Sequence, residues 1–374
     1  MKKQFFLIFL LILLFSCFPA VSAQEDSWTC INGHEGNTGK FCTECGAPRP
    51  AAEETWTCIN GHEGNTGKFC SECGAPKNEE PVPAKPETAE SLYDQGLAYW
   101  EEKDYTNAFT YFLTAAKMGH AEAQNKLGLC YYSGAGVMKD YPEAIKWFKM
   151  AADQGDASAQ NNLGVLYNDG NGVQQDYAEA VKWFRMAAEQ GSVSAQNHLG
   201  DCYYHGLGIQ QDYTEAVKWF RLAADQGLAK AQNHLGEYYC YGYGNPSDTS
   251  EGAKWYRLAA DQGYAKAQYN LGELYSFGLG VPQDYAEMTK WYRLAAEQGY
   301  DKAQVGLAEA YENGYGVPQD YAEAVKWWRL AAEQGYPLAL HKLGYYYENG
   351  LGVTADQTEA QRWYDLARKN GYKE

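Results

Sequence analysis

The chain has 374 residues, 45% of them apolar and 15% aromatic, with 48 acidic against 31 basic side chains and a net charge of −17. This is enough apolar material for a folded chain of more than one domain. The acidity argues against nucleic acid or an anionic lipid surface as a partner.

In residues 1–23, Lys2 and Lys3 precede an apolar run from Phe5 to Phe15, and the segment closes on Val21-Ser22-Ala23. That order predicts a secretory signal peptide and an exported protein, in the bacterial periplasm, in the cell envelope or secreted. Ser16, Cys17 and Pro19 interrupt the run before the ~18 apolar residues a membrane span needs. Leu14-Phe15-Ser16-Cys17 looks like a bacterial lipobox, with Phe15 where that motif has a small or β-branched residue, so lipid attachment at Cys17 is the alternative to cleavage after Ala23. Membrane association is expected only through that lipid or a retained signal segment.

Two nearly identical modules follow, at 24–50 and 51–76. Trp28–Pro48 and Trp56–Pro76 differ at one position, Thr43 against Ser71. Each offers three thiols and an imidazole, Cys30, His34, Cys42 and Cys45 in the first and Cys58, His62, Cys70 and Cys73 in the second. Three sulfurs and a ring nitrogen make a closed tetrahedral set for structural zinc, which leaves no position for a catalytic water. With Trp28, Ile31 and Phe41 as its large apolar residues, a module this small needs a staple. A disulfide module is the alternative in an exported protein, but three cysteines would leave one thiol unpaired. The run Asn-Thr-Gly-Lys-Phe-Cys-x-x-Cys-Gly-Ala-Pro resembles the short zinc ribbons at the ends of bacterial proteins. Those ribbons usually carry two cysteines in the first half, where this chain has Cys30 and His34. Residues 77–88, KNEEPVPAKPET, read as an extended linker.

From Ala121 to Tyr372 one pattern recurs every 36 residues, seven times, which predicts stacked helical hairpins. In the copy beginning at Ala157, Ala159, Leu163 and Tyr167 form a buried stripe on the first helix. Gly164 beside that stripe implies close approach of the partner helix. Gly170 and Gly172 turn the chain, and Asp176 with Glu179 forms a capping pair. Ala180, Trp183, Phe184, Ala187 and Ala188 form the second stripe, which Gly191 ends. At 229–264, Thr249 and Gly252 replace the usual tyrosine and alanine, so a local soft point is expected there.

The run Ala-x-x-Leu-Gly-x-x-Tyr-x-x-Gly-x-Gly-Val, followed by Asp-Tyr-x-x-Ala-x-x-Trp, resembles the Sel-one-like repeat, a relative of the tetratricopeptide repeat. The resemblance implies an all-α fold, a right-handed α/α solenoid of tetratricopeptide-like hairpins. Residues 89–120 lack the Gly-x-Gly loop and look like an ordinary tetratricopeptide hairpin, with Leu92, Gly96, Tyr99, Ala108, Phe112 and Ala115 at that spacing; they would cap one end. Gln361, Arg362 and Asp365 suit a polar cap at the other.

Positions that vary between repeats on one helix face are free for recognition. On the first helices these are Asn197, His198, Asp201, Tyr204 and His205 in one copy and Asn233, His234, Glu237 and Tyr241 in the next. Corresponding places hold Lys126 and Tyr132, Tyr269 and Glu273, Glu309 and Glu312, and His341 and Tyr345. In tetratricopeptide-like solenoids this face lines the groove, so the resemblance implies a protein or peptide partner bound there. Because His198, Tyr204, His234 and Tyr241 belong to no buried stripe they should be dispensable for stability, whereas Trp183 and Trp219 should fill the core between helices and be essential. His198, Asp201, Cys202 and His205 also suggest a metal site, but the two histidines lie ~10 Å apart along a helix. Cys202 and Cys240 could pair, although small apolar packing suits them better.

The chain contains no Ser-x-x-Lys, Gly-x-Ser-x-Gly or His-Glu-x-x-His, so the expectation is a non-enzymatic scaffold. The alternative is a secreted hydrolase, because some cysteine-rich relatives in the repeat family are associated with β-lactam hydrolysis. Those have paired cysteines in each unit, which this chain lacks.

Overall fold

The computed structural model describes residues 87–243 and 247–373. Among these there are sixteen α-helices and no strand, in a repeated solenoid-like arrangement. The signal segment, both proposed zinc modules and the linker up to Pro86 lie outside the described residues.

Two compact units divide at Gln154 and Gly155. The first holds α1 (Ala89–Glu101), α2 (Tyr105–Lys117), α3 (Ala121–Ser133) and α4 (Tyr141–Asp153). The second holds α5 (Ala157–Asp169), α6 (Tyr177–Glu189), α7 (Val193–His205), α8 (Tyr213–Asp225), α9 (Ala229–Tyr241), α10 (Thr249–Asp261), α11 (Ala265–Phe277), α12 (Tyr285–Glu297), α13 (Asp301–Asn313), α14 (Tyr321–Glu333), α15 (Pro337–Asn349) and α16 (Gln357–Lys369).

The hairpin α7–α8 shows why the sequence folds this way. Gly206 ends α7 at φ 71°, a left-handed conformation that costs glycine little, and returns its amide to the Cys202 carbonyl. The loop then ties back through the Asp212 amide, which donates to the Tyr203 carbonyl at 3.0 Å. Asp212 caps α8 by accepting from the amides of Thr214 and Glu215 at 2.9 and 3.0 Å. In the preceding copy Asp176 accepts from the Glu179 amide as expected, while the Glu179 carboxylate reaches forward to Lys182 and does not return to the cap.

Ala195, Leu199 and Cys202 of α7 meet Ala216, Phe220, Ala223 and Ala224 of α8, all buried. Gly200 opens the space for the Phe220 ring, as Gly164 does for Phe184. The deepest aromatic is therefore the residue after the tryptophan. Phe184 and Phe220 are buried, whereas Trp183 and Trp219 are only half-buried, contrary to the weight the sequence pattern gives them. The phenyl ring takes the space that a side chain at the glycine would need, and the larger indole stays partly exposed.

Three further contacts join one hairpin to the next. Gln196 donates to the Ala188 carbonyl of the preceding hairpin and accepts from Gln226 of its own at 2.8 Å. Arg221 donates to the Tyr239 hydroxyl of the following hairpin at 2.6 Å. Gly208, at φ 66°, lies against the backbone of Tyr177, where a Cβ has no room. The buried glutamine is polar, yet both ends of its amide are satisfied.

The weaker copy forms complete helices. Asp248 caps α10 by accepting from the Glu251 amide at 3.0 Å, and the Cys240 thiol occupies the space that a side chain at Gly252 would need. Cys130, Cys202 and Cys240 are free thiols. In the first unit, Leu92, Gly96, Ala108, Phe112 and Ala115 are buried between α1 and α2. Gln361, Arg362 and Asp365 on α16 are exposed.

Candidate partner-binding face

Of the variable first-helix residues, Lys126 and Tyr132 lie in the first unit, with the Lys126 ammonium 5.9 Å from the centre of the Trp100 ring. The others lie in the second unit, where the 36-residue period sets equivalent positions of α5, α7, α9, α11 and α13 on successive hairpins. His198, Asp201 and His205 line one open cavity of about 440 Å³, together with Asp169, Lys230, His234 and the Phe184 ring.

Each polar group there has a definite setting. His198 packs over Phe184 at 4.9 Å between ring centres, and its Nδ1 lies 3.0 Å from Asn161 Oδ1. Burial, with Lys230 beside it, pushes the His198 imidazole below its ordinary pKa. Asp201 is clasped by Lys230 at 3.1 Å and by His234 Nε2 at 3.2 Å, and accepts from Asn197. His234 stacks on Phe220 at 4.6 Å and places Nδ1 3.4 Å from Glu237. Glu237 also meets Lys266 at 2.6 Å. Burial would raise the Glu237 carboxyl, but the His234 imidazole and the Lys266 ammonium beside it outweigh that and hold the pKa down at about 2.

Farther along the face, Tyr269 stacks on Tyr292 at 5.4 Å, and Glu273 accepts from the Tyr292 hydroxyl. Tyr204 turns aside to pack among Tyr213, Tyr243 and Phe220. Tyr241 is 64% exposed and Phe277, its counterpart on the next hairpin, 66%.

This geometry corrects one expectation and weakens another. His198 packs at a tilt on the core ring of Phe184, His234 is stacked on that of Phe220, and the His234 side chain is only 12% exposed, so neither is free of the packing. The grouping of His198, Asp201, Cys202 and His205 is not a metal site: Asp201 is already paired, and burial pushes the Cys202 thiol up to about 12. Among the described residues no group of three His, Cys, Asp or Glu side chains is placed to hold a metal ion. Sequence reasoning missed Lys230, Lys266, Asp169 and Phe277. Comparison between repeats carries a signal for the lysines, which stand where earlier copies have Glu122, Ser158 and Ser194.

The family model of the Sel1 repeat matches residues 88–120, 121–156, 157–192, 193–228, 229–264, 265–300, 301–336 and 337–372. The match thus includes the segment read above as an ordinary tetratricopeptide hairpin. A comparison with curated proteins gives no match. Among solved structures, a protective antigen present in uropathogenic Escherichia coli strains, displaying an SLR fold, is 39% identical, with a TM-score of 0.67 over 76% of this chain and 62% of that one. The chain thus spans 62% of the length of that antigen. A Sel1 repeat protein from Oxalobacter formigenes is 33% identical, with a TM-score of 0.60 over 76% of this chain and 84% of that one. Proteins built of such repeats generally mediate protein–protein interactions, and the fold is typically a non-enzymatic scaffold. These likenesses give no support to the hydrolase alternative.

Proposed function

The chain belongs to the Sel1 repeat family, and on that premise we propose that it is an exported, non-enzymatic scaffold that binds a protein or peptide partner along the first-helix face of its second unit. Two N-terminal zinc modules would stand before the repeats. The observation that carries the reading is the exposure of Tyr241 and Phe277 at equivalent ends of adjacent first helices, beside a face of paired charges and an open cavity. Large aromatic side chains rimmed by polar groups are what protein interfaces use as anchors.

The test is capture of partners from envelope extracts by the intact protein and by a variant carrying Tyr241→Ala, Phe277→Ala and Glu273→Gln. Loss of a captured protein, with an unchanged circular dichroism melt, supports the reading. Capture that survives the triple variant but fails when residues 24–76 are deleted moves recognition to the N-terminal modules.

A further inference from the structure

The cavity over Phe184 has a chemical bias that identifies what it would take. Its charged lining is two carboxylates, Asp169 and Asp201, against one ammonium, Lys230. Lys230 is held by Asp201 at 3.1 Å, so that ammonium is already spent. Among the described residues Asp169, which is exposed, pairs with no cation and accepts one neutral hydrogen bond, from Asn168 at 2.8 Å. The histidine adds a further acceptor. Its Nδ1 faces the carbonyl oxygen of the Asn161 amide, which makes Nδ1 the donor and leaves Nε2 of the neutral ring with a lone pair. The floor is apolar and aromatic, made by Phe184, Val165 and Leu207.

Acceptors on the rim, an unspent carboxylate and an aromatic floor suit a planar, donor-rich cation with an apolar stem. We infer that this cavity receives an arginine side chain of the partner, its methylenes on the apolar floor and its guanidinium between Asp169 and His198 Nε2. A volume of about 440 Å³ leaves room for that side chain and for water. The excess of acid in the whole chain, 48 acidic against 31 basic residues, favours the approach of a cationic segment. Lysine fits less well, because a compact ammonium cannot bridge two acceptors in one plane. This inference rests on the partner-binding reading above and names the chemistry that one part of that face would recognise.

The test uses a defined probe and so does not depend on finding the partner. N-acetyl-arginine methylamide is titrated into the full protein while the His198 ring resonances are followed by NMR, beside the lysine and citrulline analogues. The arginine probe is expected to give saturable shifts, with the citrulline analogue weaker by about tenfold or more because it lacks the charge. Asp169→Asn should weaken the arginine probe by a similar factor, and Asp169→Glu should restore part of it. Asp169 lies exposed at the end of α5, so these variants should fold; an unchanged melt confirms that they do. Equal shifts from arginine and citrulline, no saturation, or indifference to Asp169→Asn would each overturn the assignment. Any of these leaves the partner-binding reading to stand or fall by the capture experiment, which does not alter Asp169.

Discussion

Gly200 lies so close beneath the Phe220 ring that a Cβ there would stand 2.7 Å from Cδ1 and Cε1. Alanine normally favours a helix over glycine by about 1 kcal/mol, but overpacking of this kind costs about 1–3 kcal/mol. Gly200→Ala is therefore expected to lower the urea midpoint. Phe220→Ala should cost about 3–5 kcal/mol and exceed Trp219→Ala, since Phe220 is 1% exposed and Trp219 only half-buried. A larger loss from Trp219→Ala would show that the indole carries the hairpin.

Glu237 should make the fold acid-sensitive. Its carboxyl titrates near pH 2 in the folded chain and near 4.3 when unfolded, so the unfolded state binds the extra proton between those values. The stabilisation is complete above about pH 4.3 and is lost as the pH falls to about 2, on the order of 2–3 kcal/mol in all. Comparing denaturant unfolding of the wild type and Glu237→Gln checks this. The gap between them should close on acidification, and a constant gap would mean that the ion pairs set no pH dependence.

His198 adds a second window at milder pH. Its folded pKa lies below the ordinary value of about 6.5, so stability is complete above that value and falls with pH as the unfolded ring gains a proton that the folded one refuses. His198→Gln should flatten the stability curve just below pH 6.5, measured by thermal melts. At neutral pH, His234→Ala is expected to destabilise by about 1–2 kcal/mol through the lost stack on Phe220 and the loss of one partner from each of two carboxylates that keep their lysines. Tyr241→Ala should leave the melt unchanged.

For the N-terminal modules, elemental analysis of untagged mature protein should find two zinc ions per chain. His34→Ala and His62→Ala should weaken zinc retention against a chelator, because on the proposed reading each would remove one of four ligands. Zinc near zero with disulfides on thiol titration would leave the modules stapled by sulfur alone.

The hairpins were legible because they are written in local chemistry, with Gly206 to stop one helix, Asp212 to start the next, and small residues on the facing stripes. What the pattern concealed depends on contacts between helices. Gln196 reads as a polar surface residue, yet it is 4% exposed and bridges two hairpins. The histidines vary between copies and so read as free surface, although they rest on rings that belong to the core. Ala308 shows the same limit. It stands where other copies have the helix glycine, opposite Trp328 where they have phenylalanine or tyrosine, and both are fully buried.

The joints described above have a bearing on how such a chain can change over generations. The hairpins from α7 to α12 each carry both the giving and the receiving half of these joints, as Gln196 with Ala224 and Arg221 with Tyr203 illustrate. Duplication or loss of one whole 36-residue stretch by unequal recombination would therefore rebuild every joint from parts already present. An insertion of any other length would carry the glutamine away from its carbonyl. The gene can thus lengthen or shorten the protein in whole repeats while leaving the remaining joints intact.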